Sequence, residues 1–176
     1  MVSDSILTEC PMNGIKQANQ QDLPQVMDLI RSCVRRMEAQ GIHQWDEIYP
    51  DRTSLADDIE RGELYLLGNE HRIYGIVALN EFQEPAYQDV PWQFSGKALV
   101  VHRLAIDPLA QGKGHARELM HFVGEFARKR EYATIRLDAF ERNPRAVLLY
   151  QQLGYRRAGT VLFRKGPFAC FEIQIA

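Results

Sequence analysis

Apolar residues recur along this chain with two periods, and the switches between them lay out the elements. Leu23, Val26, Met27, Ile30, Val34 and Met37 follow helical spacing, with Asp22 placed as the cap and Leu23 and Pro24 in the first turn. This helix is expected to end near Gly41, and a second short one, with Ser54 and Asp57 as its capping box, to stop at Gly62. Before them Ile15 to Ala18 reads as a short strand. After them Leu64 to Leu67 and Ile73 to Leu79 read as a hairpin, turning through Gly68 and Asn69. Residues 82–97 form a long loop with two prolines, Tyr87, Trp92 and Phe94, a length often tied to function. Ala98 to Ile106 is the strongest strand signal, and Pro108 ends it. From Gly112 the period lengthens again, with Ala116, Leu119, Met120, Val123, Phe126 and Ala127 on one helical stripe. Thr134 to Ala139 is a strand. Asn143 and Pro144 then open a helix with Ala146, Leu149, Tyr150 and Leu153 inward, closed by Gly154. Two last strands, Tyr155 to Phe163 and Phe168 to Ile175, flank a Gly166-Pro167 turn. The order β-α-α-β-β-β-α-β-α-β-β is that of a mixed α/β sheet layered with helices.

Composition narrows the class. A chain of 176 residues suffices for one domain with a full core, expected over 14–176, with residues 1–13 as a flexible leader. A net charge of -2 gives no field for nucleic acid or an anionic membrane, and no apolar run approaches a membrane span. Cys10, Cys33 and Cys170 are odd in number and lack CxxC or Cys/His spacing, so neither disulfides nor a zinc site is expected. With no secretory signal at the start, a cytoplasmic location is the default.

The densest chemistry lies at Gln111-Gly112-Lys113-Gly114-His115-Ala116, between the strongest strand and a helix. Glycines let backbone amides approach and converge, and a helix N-terminus attracts anions, so the turn reads as a pyrophosphate cradle. A dinucleotide site on a Rossmann unit is one reading, with Asp138 as its acid. Arg117, however, stands where a small residue is wanted at a close helix–strand contact.

A second reading absorbs more residues. Leu104-Ala105-Ile106-Asp107-Pro108, then Gln111-x-x-Gly114-x-Ala116, resembles the signature of the GNAT superfamily of acetyl-coenzyme A-dependent N-acetyltransferases. That signature runs Gln or Arg, two residues, Gly, one residue, then Gly or Ala. Asn143, Ala146, Tyr150 and Gly154-Tyr155 match a second block of the family, in the right order. The motifs span about Ala98 to Tyr155, and the element order suits the family over nearly the whole chain. The resemblance implies a GNAT-type, mostly antiparallel sheet with helices on both faces and a notch for the thioester. Amides of Gln111, Gly112, Lys113, Gly114, His115 and Ala116 then hold the pyrophosphate of acetyl-coenzyme A. Leu104, Ala105 and Ile106 offer backbone to the pantetheine arm, and an N–H near Ile106 faces the carbonyl oxygen. Asn143 bonds the pantetheine, caps its helix, or does both. Tyr150 is implied as the general acid, although its helix alone reads it as a core tyrosine.

His102 is the candidate base. Strand alternation sets it on one face with Leu104 and Ile106, and a histidine at this offset is the base in arylalkylamine N-acetyltransferases, which the chain resembles here. The competing reading is a hydrogen-bonded core histidine, and Glu81 is a second candidate. The acceptor pocket implied by the family draws on Trp45, Glu47, Tyr49, Glu81 and Trp92, where aromatics and carboxylates suit an amine. For Trp45 and Trp92, capping of the core competes. The function expected is transfer of acetyl to a primary amine, on a small molecule rather than a protein, by a monomer or homodimer and with no metal. A non-catalytic acyl-coenzyme A sensor and an NAD(P)-dependent oxidoreductase are the alternatives.

Overall fold

The computed structural model describes residues 14–176. The expectation of a flexible leader at 1–13, with Cys10, lies outside them. The elements are β1 (Ile15–Gln17), α1 (Leu23–Glu38), α2 (Arg52–Glu60), β2 (Leu64–Gly68), β3 (Ile73–Asn80) and β4 (Ala98–Ile106). Then come α3 (His115–Lys129), β5 (Thr134–Phe140), α4 (Pro144–Gln152), β6 (Arg156–Phe163) and β7 (Gly166–Gln174), in the expected order. The strands make one sheet, β1-β2-β3-β4-β5-β7-β6, antiparallel except at β4–β5. Such a sheet is not doubly wound, so the Rossmann reading fails on topology.

Three local expectations change. Asp22 does not cap α1: Asn19 caps a short 3-10 turn, Gln20–Asp22, and Asp22 closes the capping box by accepting from the Asn19 amide at 2.9 Å. Asp51, not Ser54, caps α2, its carboxylate accepting from the Ser54 amide at 3.0 Å. The last hairpin turns at Arg164 and Lys165, because Phe163 pairs with Gly166 and Pro167 already lies in β7. Proline fits there: β6 and β7 close the sheet's far edge, and a missing N–H costs little at a strand's first residues.

Helices cover both faces. Leu119, Met120, Val123 and Ala127 of α3 pack on Val77, Leu79, Leu99 and Val101. On the other face Leu23, Val26, Leu29, Ile30 and Cys33 of α1 meet Leu55 and Ile59 of α2 and Leu64, Leu66 and Ile76. Each such fully buried aliphatic side chain contributes about 1.5–3 kcal/mol. A third cluster lies under the 82–97 loop, where Tyr87 and Val90 meet Val100, Phe140, Phe168 and Cys170. Glu172, fully buried, accepts from the Gln93 and Phe94 amides at 2.8 and 3.3 Å and ties that loop down.

Two irregularities in β4 shape the site. It pairs with β5 only at Ala98, Leu99 and Val100, opposite Thr134, Ile135 and Arg136. Beyond that β4 follows β3 to Ile106, while β5 follows β7 to Phe140, so the sheet splits into a notch. Backbone groups on the notch side of β4 lose their β5 ladder there, and the Ile106 carbonyl accepts instead from Cys33 Sγ at 3.3 Å and Gln111 Nε2 at 3.2 Å. The second irregularity is a bulge. Ile76 and Ala78 pair with Ala105 and His102, so β4 carries one residue more than β3, and Arg103 sits at φ 52.

Candidate active site

The notch opens into a cavity of about 1000 Å³, walled by α1, the segment after it, β4, the glycine turn, α4 and the β6–β7 hairpin tip. Gln111, Gly112, Gly114, His115 and Ala116 all line it, whereas Lys113 is exposed and lies off the wall. Gly112 and Gly114 adopt φ 78 and 90, a conformation that costs L-residues energy. A Cβ built on either meets nothing within 4 Å, so the protein leaves the space above the turn open. Among the described hydrogen bonds, no amide from Gln111 to Arg117 has a protein acceptor; the ladder resumes with Glu118 N–H to Gly114 O at 3.0 Å. A run of unpaired amides at the N-terminus of a 15-residue helix is an anion site, and it fits a pyrophosphate. His115 stacks on Tyr74 with centroids 5.0 Å apart, pinning that end of α3 to β3.

Leu104, Ala105 and Ile106 line the notch as expected. Asn143 caps α4, its Oδ1 accepting from the Ala146 amide at 3.3 Å, while Nδ2 donates to Gln44 Oε1 at 3.0 Å. It also stands on the cavity wall. Tyr150 is 6% exposed, packed against Tyr155 and Phe171, and still reaches the cavity. Burial, and then the Asp138 charge, push its phenol well above the ordinary tyrosine range. Its hydroxyl has no protein partner among the described hydrogen bonds.

His102 lines the cavity but not in the expected orientation. It lies opposite Ala78, whose side chain packs with α1 and α2, whereas Leu104 and Ile106 pack toward α3. The bulge at Arg103 reverses the alternation, so the three side chains do not share a face. The His102 ring sits 2.9 Å from Asn80 Oδ1. Burial first, then the Arg103 charge, lower its pKa to about 4, against a Phe82 backbone hydrogen bond that raises it.

Of the acceptor residues, Trp45 and Tyr49 line the cavity; Glu47, Glu81 and Trp92 do not. Glu47 is exposed on its loop. Glu81 is held by Lys97 at 3.1 Å and by the Tyr132 hydroxyl at 2.9 Å, which lower its pKa. Trp92 turns its indole N–H to the Tyr87 carbonyl at 2.9 Å and lies beneath Arg136, 4.6 Å from its ring, so it caps the loop cluster.

Asp138 is a wall residue that the acetyltransferase motifs do not point to. It lies on β5 just where β4 departs, and its Oδ2 accepts from the Tyr87 hydroxyl at 2.6 Å. Burial raises its pKa to about 6; the Tyr87 hydrogen bond lowers it and Glu84 raises it. A carboxylate between Leu137 and Ala139, inside an apolar strand, is the signal the sequence carries. Arg103 was also missed: its Nη1 meets Asp58 Oδ2 at 2.5 Å, and its guanidinium lies 5.1 Å from the Tyr49 ring centre.

The acetyltransferase (GNAT) family profile matches residues 23–155. Human N-acetyltransferase 8 is 28% identical over 128 residues, 68% of this chain and 53% of that protein, so the chain spans about half the length of this curated relative. An acetyltransferase of the GNAT family from Streptococcus agalactiae superposes with a TM-score of 0.80 at 23% identity, over 92% of this chain and 94% of its own. PaiA N-acetyltransferase from Thermoplasma acidophilum, solved with coenzyme A, superposes with a TM-score of 0.71 at 15% identity, over 91% and 97%. With the glycine turn, the split sheet and a profile match covering most of the chain, the protein belongs to the GNAT acetyltransferase family.

Proposed function

We propose that this protein transfers acetyl from acetyl-coenzyme A to a primary amine on a small molecule, directly and without an acyl-enzyme. The observation that carries this reading is the run of unpaired amides from Gln111 to Arg117, opening onto a notch that also holds a buried phenol and a carboxylate. Acetyl-coenzyme A supplies an acetyl group already activated as a thioester. The amides of the turn, with the α3 dipole behind them, hold its pyrophosphate. Backbone of Leu104 and Ile106 beyond the last β4–β5 pair takes the pantetheine as an added strand, and Asn143 borders it.

The base is Asp138 in preference to His102. An amine of pKa about 10 must lose a proton before attack. Asp138, at about 6, is the stronger base than His102 at about 4, yet still ionised at neutral pH. His102 then orders the wall through Asn80. Tyr150, its phenol kept protonated by burial, donates to the departing sulfur. The balance closes: C–N forms and C–S breaks. Of the three ammonium protons one stays on the amide, one leaves through Asp138 to solvent, and one replaces that given up by Tyr150.

Steady-state release of thiol tests the assignment of the acid. Tyr150→Phe is expected to lower kcat about 100-fold while leaving the KM for acetyl-coenzyme A within about threefold. An unchanged kcat would remove Tyr150 from the chemistry.

A further inference from the structure

We infer that Glu84 receives the acceptor as an ammonium ion, and that the site therefore prefers amines with no carboxylate beside the amino group. This rests on the acetyl-transfer reading above. Glu84 lines the cavity at the start of a 3-10 turn, Pro85–Asp89. The turn is firmly seated: Tyr87 is 2% exposed, its hydroxyl is bonded to Asp138, and its carbonyl accepts from Trp92. One turn thus fixes Asp138 and, three residues earlier, presents a second carboxylate to the same cavity.

Among the described residues the Glu84 carboxylate has no hydrogen-bond or ion-pair partner. The Glu84 carboxylate is half-buried without a counter-charge, and an arriving ammonium supplies one. Three of the cations around the cavity are paired with acids. Arg103 is paired with Asp58 at 2.5 Å, and Arg164 and Lys165 share Asp46 at 2.9 and 2.5 Å. Arg117 and Arg145 bond to Gln152 and Gln111 beside the anion turn. Neither of these two partners is acidic, and Arg36 on α1 has no hydrogen-bond or ion-pair partner among the described residues.

The groups that face Asp138 come from four elements: Glu84 and Tyr87 on the loop, Tyr49 after α1, Tyr150 on α4 and Cys170 on β7. The tyrosines and the thiol are neutral at physiological pH, so the charge acting on Asp138 is that of Glu84. An ammonium seated between the two carboxylates is held by one and deprotonated by the other.

The test measures thiol release with a primary amine and with the α-amino acid that differs from it only by the carboxyl group. 2-Phenylethylamine and phenylalanine are the first pair, followed by butylamine and norvaline. The amine is expected to exceed the amino acid at least about tenfold in kcat/KM. Glu84→Gln should raise the amine's KM about tenfold with kcat within about threefold, and should narrow the preference. The acid limb of kcat/KM should also move to lower pH, because a like charge near Asp138 is gone. Glu84→Asp should recover part of the KM. A preference for the amino acid, whose carboxylate Arg36 would then meet, overturns the inference. So does a Glu84→Gln enzyme with unmoved KM and acid limb; in both cases acetyl transfer itself stands. Absence of thiol release from every amine removes both readings together.

Discussion

At the scale of single residues, Asp138 links stability to catalysis. Its carboxyl holds a proton more tightly folded than unfolded, since the folded value is about 6 against 3.8. The group therefore costs nothing below the unfolded value and costs progressively more as pH rises toward 6. Asp138→Asn should stabilise the fold in chemical denaturation, by about 2 kcal/mol more at pH 7 than at pH 4, while abolishing most turnover. With Asp138 as the proposed base, the acid limb of kcat/KM in the wild-type enzyme is expected near pH 6. A limb near 4 would return the base role to His102. Neither value was legible in the sequence, because each depends on burial by a loop far away in the chain. For the same reason His102 looked aligned with Leu104 and Ile106: alternation counts residues, and a bulge marked by a left-handed Arg103 has no compositional signature.

At the scale of elements, the strand–turn–helix unit was the legible part. Glycines 112 and 114, the Asn143 cap and the long β4 strand were all read from spacing, and the structure places them there. Caps at Asn19 and Asp51 were misread, since Asp22 and Ser54 also have capping chemistry and only backbone geometry separates them. Gly114→Ala should raise the KM for acetyl-coenzyme A, and cost about 1 kcal/mol of stability through its positive φ. The space is open there, so the two effects separate: the fold survives and the cradle does not. Gly75 has the opposite character. A Cβ there would fall 2.5 Å from Ile106 Cδ1 and 3.0 Å from Leu119 Cδ1, so this glycine lets α3 and β4 close on β3. Gly75→Ala is expected to lower stability by about 1–3 kcal/mol in denaturant titration.

At the scale of the molecule, one sheet splits midway and helices close over both faces, so that the glycine turn and the rest of the cavity wall share a floor. Element order and family were readable because hydrophobic period and two short motifs carry them. The acceptor residues were not: Trp45 and Tyr49 reach the cavity, but Glu47, Glu81 and Trp92 do not, and loop composition cannot tell a side chain facing a cavity from one capping a core. No helix among the described residues is long and apolar enough to cross a membrane. The central claim is acetyl transfer to an amine, and one measurement addresses it most directly. Purified protein is mixed with acetyl-coenzyme A and a panel of small primary amines, and free thiol and acetylated amine are followed together. The account predicts equal amounts of both, with initial rates saturating in each substrate. Tight binding of acetyl-coenzyme A with no thiol released above the uncatalysed rate, across the whole panel, would contradict it.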